Sequence, residues 1–574
     1  MDHCDGLGSI GISLGTAETL QQRGANSFLG ANMKTIPELF LEQVDAKPDA
    51  PSIYLKQQGE YRPLTWSDVH LDVRRYVANL LRVGVKPGDR VIQFSENRYE
   101  WILADLAIHM LGAVHVPVHS TLSGSQVIHQ VVDSEAVLVL VSNAELLSKL
   151  ASASEQLPRD VGLYAYEDVG EFNGRPVPSF DDNDVDLSVA AEMEQTVAER
   201  VNPDSYATIL YTSGTTGEPK GVILSQRNIV SNSVGANDAI RQQPDDVRLN
   251  FLPLSHIFAR TCDLYSWLVG GSQLALAESR DTVVADAQAI HPTIVNAVPY
   301  FYARLQKVLT EMGAADQPDA VRNLLGGRVR FCCSGGAPLT TPLYDYFQSQ
   351  GLPLLQGYGL TESSPVISVS SLQHDRRGAV GRPITDVEVR IADDGEVLTR
   401  GPHVMVGYWK NAAATAETIR DGWLHTGDLG EIDDDGYLYI TGRKKELIVT
   451  ATGKNVAPAY VEALLVEDPV IAQALVIGDD RKFLTALIVP DPEALQRALN
   501  VDSLAESQAA MQQLIGERIA ERLEEVAKHE QIGKFTILNR PFSADLGEMT
   551  PKLSLRRKVI EENFREEIEA MYSS

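Results

Sequence analysis

The sequence predicts a layered α/β fold followed by a smaller α+β unit at the C-terminus. Three observations point there. From Thr65 onward, short β-branched runs alternate with amphipathic helical patterns for several hundred residues, the pattern of strands covered by helices. The chain has 574 residues, 44% of them hydrophobic, enough to bury more than one core. After Gly442 the alternation is broken by the basic segment Arg443-Lys-Lys-Glu-Leu-Ile-Val449, which reads as a hinge and puts a boundary at residues 442–445. The expected division is a mobile leader at 1–33, a large domain at 34–442 and a small one at 443–574.

Taken in order, residues 1–33 are Gly/Ser-rich with weak periodicity. Thr65 and Asp68 form a capping pair ahead of Val69, Val73, Tyr76, Val77 and Leu80, which share one helix face. Gly84–Asp89 reads as a turn and Arg90–Phe94 as a strand. The apolar stretch Trp101–Val118 contains Asp105, His109 and His115 and is too polar to span a bilayer. Phe180–Asp186 reads as a solvated acidic loop rather than a metal site. Ala207–Tyr211 and Val222–Ser225 read as strands flanking a tight loop. Asp433-Asp-Asp-Gly436 is a hairpin turn of Asp-Gly type, without the ligand spacing of a calcium loop. Beyond the hinge come a helix near Tyr460–Leu465, strands at Ala474–Ile477 and Leu484–Val489, and helical periodicity from Leu504 to Lys528.

Composition excludes some partners. A net charge of −28, from 78 acidic and 50 basic residues, argues against nucleic acid and disfavours broad adhesion to anionic membranes. The four cysteines, Cys4, Cys262, Cys332 and Cys333, lack metal-ligand spacing and read as buried reduced thiols. The N-terminus has neither the basic start nor the apolar core of a signal peptide. A cytoplasmic protein is expected. Peripheral contact at the inner face of the membrane and the oligomeric state are left open.

The segment richest in chemistry is Tyr211-Thr-Ser-Gly-Thr-Thr-Gly-Glu-Pro-Lys-Gly221. Gly214, Gly217 and Gly221 let backbone approach a ligand. The hydroxyls of Thr212, Ser213, Thr215 and Thr216, with free N–H groups, can wrap phosphate oxygens. Lys220 adds a compact charge suited to a polyphosphate. The spacing is not that of a P-loop.

Further motifs follow: Leu252-Pro-Leu-Ser-His-Ile-Phe258, Ser334-Gly-Gly-Ala-Pro338, Gln356-Gly-Tyr-Gly-Leu-Thr-Glu362, Trp423-Leu-His-Thr-Gly-Asp428 and Lys444–Pro458. In this order, from about Thr35 to the C-terminus, the chain resembles the adenylate-forming superfamily of acyl- and aryl-CoA synthetases, peptide-synthetase adenylation domains and luciferases. It is most similar to long-chain fatty acid–CoA ligases. The resemblance implies an αβαβα adenylation domain with a distorted barrel and a mobile C-terminal domain. It also implies ATP, a long-chain fatty acid and coenzyme A as substrates, with Mg²⁺ as cofactor.

The roles it implies are specific. Thr212, Ser213, Gly214, Thr215, Thr216, Gly217 and Lys220 bind ATP phosphates. Gly335, Gly336 and Ala337 line the adenine, with Gly357, Tyr358 and Gly359 beside it and Tyr358 stacking on the ring. Thr361 bonds the α-phosphate and Glu362 holds the metal. Asp428 accepts from the ribose hydroxyls with Arg443 nearby. His256 shapes the acyl site, Lys445 is the hinge and Gly453 lines the coenzyme A channel. The family's C-terminal catalytic lysine falls at Ser554, so Lys552 is the expected substitute, with Arg556 the alternative. Two rival readings are a fatty acyl-AMP ligase loading a carrier protein and a nucleotide-binding regulatory protein without turnover.

Overall fold

The computed structural model describes residues 33–212, 219–501, 503–504, 507–543, 546–549 and 555–573. Two sheets dominate. One has nine strands in the order Arg382–Pro383, Val366–Val369, Leu354–Gly359, Phe331–Ser334, Ile294–Ala297, Val247–Asn250, Gln273–Leu276, Pro51–Gln57, Glu60–Thr65. It is parallel from Leu354–Gly359 to Pro51–Gln57 and antiparallel at both ends. The other has seven strands: Gly407–Tyr408, Lys220–Ser225, Tyr206–Thr212, Val114–Val118, Arg90–Phe94, Ala136–Val141 and Gly162–Ala165.

Side-chain alternation along the strands builds the layers. Val91 points into the core shared by both sheets, while its neighbour Ile92 joins the core on the opposite face. Between the sheets lie the helices Trp66–Arg82, Tyr99–Leu111 and Gln226–Ile240. Helices Gly124–Ser134 and Ala144–Ala151 cover the outer face of the seven-stranded sheet. Helices Pro299–Glu311 and Thr341–Ser349 cover that of the nine-stranded one. Helix, sheet, helix, sheet, helix is the layering the resemblance implied. A third sheet, of five strands within residues 388–443, joins the first through backbone bonds between Leu438 and residues 380–381.

The predicted helix at Thr65 forms as Trp66–Arg82: Asp68 N–H donates to the Thr65 hydroxyl at 3.1 Å and Thr65 N–H to the Asp68 carboxylate at 2.8 Å. The stretch Trp101–Val118 divides into a helix ending at Leu111 and the strand Val114–Val118. That helix is buried on every face from Trp101 to Leu111, Asp105 and His109 included, because sheets enclose it on two sides. No described helix is long and apolar enough to cross a membrane.

Two expectations are corrected. The acidic stretch at 180–186 is anchored rather than free: Phe180 is buried, and Asp181 pairs with Arg75 at 2.9 Å. The helical periodicity of 504–528 shortens to a helix at Gln508–Arg522, because Leu504 and Val526 reach the core from outside it.

The C-terminal part carries the sheet Ile471–Ile477, Leu484–Pro490, Ile532–Ile537 with helices on both faces. It meets the large domain through Lys307–Asp491 at 3.5 Å, Glu311–Arg497 at 3.2 Å and the Thr340 hydroxyl, which donates to Glu467. Burial raises the Glu467 carboxyl to about 7, against the opposing charge of Arg522. A raised acid contributes stability that is complete below its ordinary pKa and is lost as pH rises through 7. Glu467→Gln should therefore gain about 2 kcal/mol over the wild type between pH 5 and pH 8, read as the difference in thermal stability.

Candidate active site

The strands Tyr206–Thr212 and Lys220–Ser225 pair antiparallel with Lys220 opposite Thr212, so the predicted loop joins two adjacent strands. Ser213, Gly214, Thr215, Thr216 and Gly217 lie outside the described residues, as does Lys552 with Ser554. Strand packing also requires Gly221 to be small, because a Cβ there would sit 2.8 Å from Ile209 and 3.2 Å from Trp409.

Lys220 begins the first of three clusters. Its ammonium lies 5.0 Å from the ring centroid of Tyr408, within cation–π range. Tyr408 sits on the edge strand Gly407–Tyr408, opposite Val222. Its hydroxyl donates to Glu362 Oε1 at 2.9 Å. Burial, then the nearby Glu362 charge, raise the Tyr408 phenol, so it stays a donor. Thr361 and Glu362 occupy a single helical turn, Thr361–Ser363, with Thr361 buried and Glu362 half-buried. The Glu362 carbonyl is held by Met405 N–H at 2.9 Å. Among the described residues, Glu362 Oε2 accepts no hydrogen bond. A half-exposed carboxylate oxygen of this kind fits a hard cation that also takes phosphate oxygens.

The second cluster is built on Asp428. Asp428 and Arg443 are cross-strand partners on Trp423–Ile432 and Leu438–Arg443. Arg443 Nε donates to Asp428 Oδ1 at 2.8 Å, and the Tyr358 hydroxyl donates to Oδ2 at 2.8 Å. Burial opposes the Arg443 charge, but Asp428 outweighs it and the guanidinium pKa rises. Tyr358 is pushed well up by burial and then by Asp428. Tyr358 thus has a contact the motif alone did not show: its hydroxyl tethers the ring edge to Asp428. Gly357 and Gly359 flank it at the end of the strand Leu354–Gly359.

The third cluster joins the segments 252–258 and 334–338. His256 Nδ1 accepts from Phe258 N–H at 3.2 Å, capping the short helix that carries Phe258. The Phe258 ring packs on Gly335, where a Cβ would come within 3.2 Å. His256 is a positioning residue here. Gly336 and the exposed Ala337 continue the same turn. The apolar runs after Ile257 and Ile294 pack in the cores between and below the sheets.

Lys445 and Gly453 stand apart, both exposed, Gly453 in the turn closed by its N–H to Thr450 at 2.8 Å. Lys444 is not simply solvated: it pairs with Asp394 at 2.5 Å and with Glu396 at 3.3 Å. Glu396 also accepts from Gly427 N–H at 2.9 Å and contacts His425 Nδ1 at 3.1 Å, tying the Asp428 turn to Lys444. Sequence reasoning missed Tyr408 and Glu396. Both act across strands far apart in the chain, and no local period marks them.

Comparison with known proteins places the chain in a family. Residues 40–409 match the AMP-binding enzyme family and residues 445–574 the AMP-binding enzyme C-terminal domain. The chain is 35% identical to the long-chain-fatty-acid–CoA ligase FadD15 of Mycobacterium tuberculosis, over 92% of this chain and 95% of that one. The adenylation domain of a Mycobacterium chelonae carboxylate reductase superposes with a TM-score of 0.78 at 23% identity, covering 97% of this chain and 93% of that one. The o-succinylbenzoate CoA synthetase MenE of Bacillus subtilis, solved with ATP and magnesium, gives 0.68 at 24%, covering 91% and 98%. With the family model spanning most of the large domain, the chain belongs to the AMP-binding enzyme family.

Proposed function

We propose that this protein is an AMP-forming long-chain fatty acid–CoA ligase: fatty acid, ATP and coenzyme A become acyl-CoA, AMP and pyrophosphate. The observation that carries the reading is the pair of clusters, Lys220 with Tyr408 and Glu362, and Tyr358 with Asp428 and Arg443, linked in the chain by the segment 356–362. The 35% identity to FadD15 over nearly the whole chain supports the substrate class.

In the first step the fatty carboxylate oxygen attacks the α-phosphorus and pyrophosphate leaves. Two anions must approach, so donors and cations have to be in place beforehand. Lys220 and the hydroxyl loop balance the outgoing phosphates, and Thr361 donates to the α-phosphate. Each Asp428 oxygen accepts one protein hydrogen bond and keeps capacity for a ribose hydroxyl. Glu362 offers the oxygen donor a Mg²⁺ ion takes, and the bound ion would screen phosphate charge. In the second step the coenzyme A thiolate adds to the acyl carbonyl and AMP departs with the bonding pair. Rotation of 443–574 about Lys445 would exchange the adenylation surface for the Gly453 channel.

The carrier-protein reading calls for an insertion in the large domain. Residues 388–400 instead form a tight two-strand hairpin, which favours coenzyme A as acceptor. The test is AMP and pyrophosphate release from MgATP and palmitate with and without coenzyme A. CoA-dependent AMP release with acyl-CoA formed supports the ligase. Acyl-AMP accumulating with coenzyme A ignored would favour carrier loading, and binding without turnover would favour the regulatory reading. Lys552→Ala should slow pyrophosphate release at least tenfold; an unchanged rate would remove Lys552 from the mechanism.

A further inference from the structure

We propose that Tyr408 is a positioning residue for nucleotide and metal binding, holding Glu362 through its hydroxyl and Lys220 through its ring, and keeping the two charges from pairing with each other. The inference rests on the ligase reading of this site.

The geometry has three parts. First, Tyr408 cannot move freely. Its N–H donates to the Thr415 hydroxyl at 2.9 Å, and Val222 faces it across the strand pair. The next residue, Trp409, donates its N–H to the Gly221 carbonyl at 2.7 Å and its indole N–H to the Asp133 carbonyl at 2.8 Å. Second, its two ends meet opposite charges. The ring faces the Lys220 ammonium, and the hydroxyl donates to Glu362 Oε1. Third, Lys220 and Glu362 form no ion pair with each other among the described residues, although the same side chain contacts both.

The physical consequence follows from what each charge is for. A lysine and a glutamate at contact distance attract each other, and more strongly where the protein partly excludes water. Once paired, they would have to separate before a phosphate or a metal could bind, and that separation weakens apparent affinity. A rigid aromatic ring between them removes the competing state. The hydroxyl also commits one carboxylate oxygen to the protein and so fixes which oxygen faces a ligand, the service an outer hydrogen-bond partner gives a metal-binding side chain.

The experiment uses the full-length protein with Mn²⁺ as a spectroscopic substitute for Mg²⁺, following Mn²⁺·ATP binding by electron paramagnetic resonance. Tyr408→Phe keeps the ring and loses the hydroxyl. Its Mn²⁺·ATP dissociation constant should rise about tenfold, with the melting temperature and the KM for coenzyme A unchanged. Tyr408→Ala loses the spacer too and should weaken binding about thirtyfold. In a Glu362→Gln background, Tyr408→Phe should add nothing, since the hydroxyl acts through that carboxylate. Binding by Tyr408→Phe within twofold of the wild type would overturn the proposal. So would equal loss in the Glu362→Gln background. If the wild type itself bound no Mn²⁺·ATP, the ligase reading would fall first and this inference with it.

Discussion

Asp105→Asn is expected to lower the stability of the large domain by about 3–5 kcal/mol, because it strands a buried guanidinium. Asp105 and Arg260 are both fully buried and form an ion pair, with His115 Nδ1 2.6 Å from Asp105 Oδ1. The Tyr265 hydroxyl donates to Asp105 at 3.0 Å, and His109 Nε2 lies 3.0 Å from that hydroxyl. Arg260 also donates to the Thr208 hydroxyl at 2.7 Å, on the strand Tyr206–Thr212. Burial pushes the Asp105 carboxyl up, but Arg260 and His109 outweigh it and hold it well below the usual range. Burial and then the Arg260 charge bring His115 down to about 3, so the imidazole stays neutral. A depressed carboxyl contributes stability above its ordinary pKa and loses it only as pH falls through the lowered value, so the pair is intact at neutral pH.

The measurement is urea unfolding, with hydrogen exchange of the helix Tyr99–Leu111 to place the loss. Asp105→Leu combined with Arg260→Met should recover most of the deficit, since an apolar pair of similar volume leaves no charge uncompensated. A single variant as stable as the wild type would show that the network carries no energy. The cluster's position suits it to structure: Arg260 lies on the π-helical turn Arg260–Tyr265 directly after the segment 252–258, which it anchors.

Asp428→Asn should cut kcat/KM for ATP by about 10²–10³-fold, or roughly 3–4 kcal/mol of transition-state stabilisation. The amide replaces a charge that compensates Arg443 and an acceptor that orients Tyr358. The KM for fatty acid should change much less, because neither partner belongs to the acyl segment. Steady-state kinetics with each substrate varied in turn reads that contrast. An equal loss for all substrates would mean that the Asp428 turn is merely scaffolding. Asp428→Glu, which keeps the charge and displaces it, should fall between the two.

What the chain determined by itself is what local chemistry can specify. The capping pair at Thr65, the hairpin at Asp433–Gly436, the strand Arg90–Phe94 and the α/β alternation were legible because each depends on residues within a few positions. The motifs placed Lys220, Glu362, Tyr358 and Asp428 for the same reason, since each lies in a short stretch. Tertiary structure alone decided how they combine. Tyr408 meets Glu362 across 46 positions and Tyr358 meets Asp428 across 70, joined by strand pairings no local period announces. It also gave Gly221 a packing role and turned three polar residues in an apolar run into a buried network with Arg260. The reason is physical: propensity and turn chemistry act over a few residues, whereas compensation of buried charge is settled only when distant strands and helices exclude water together.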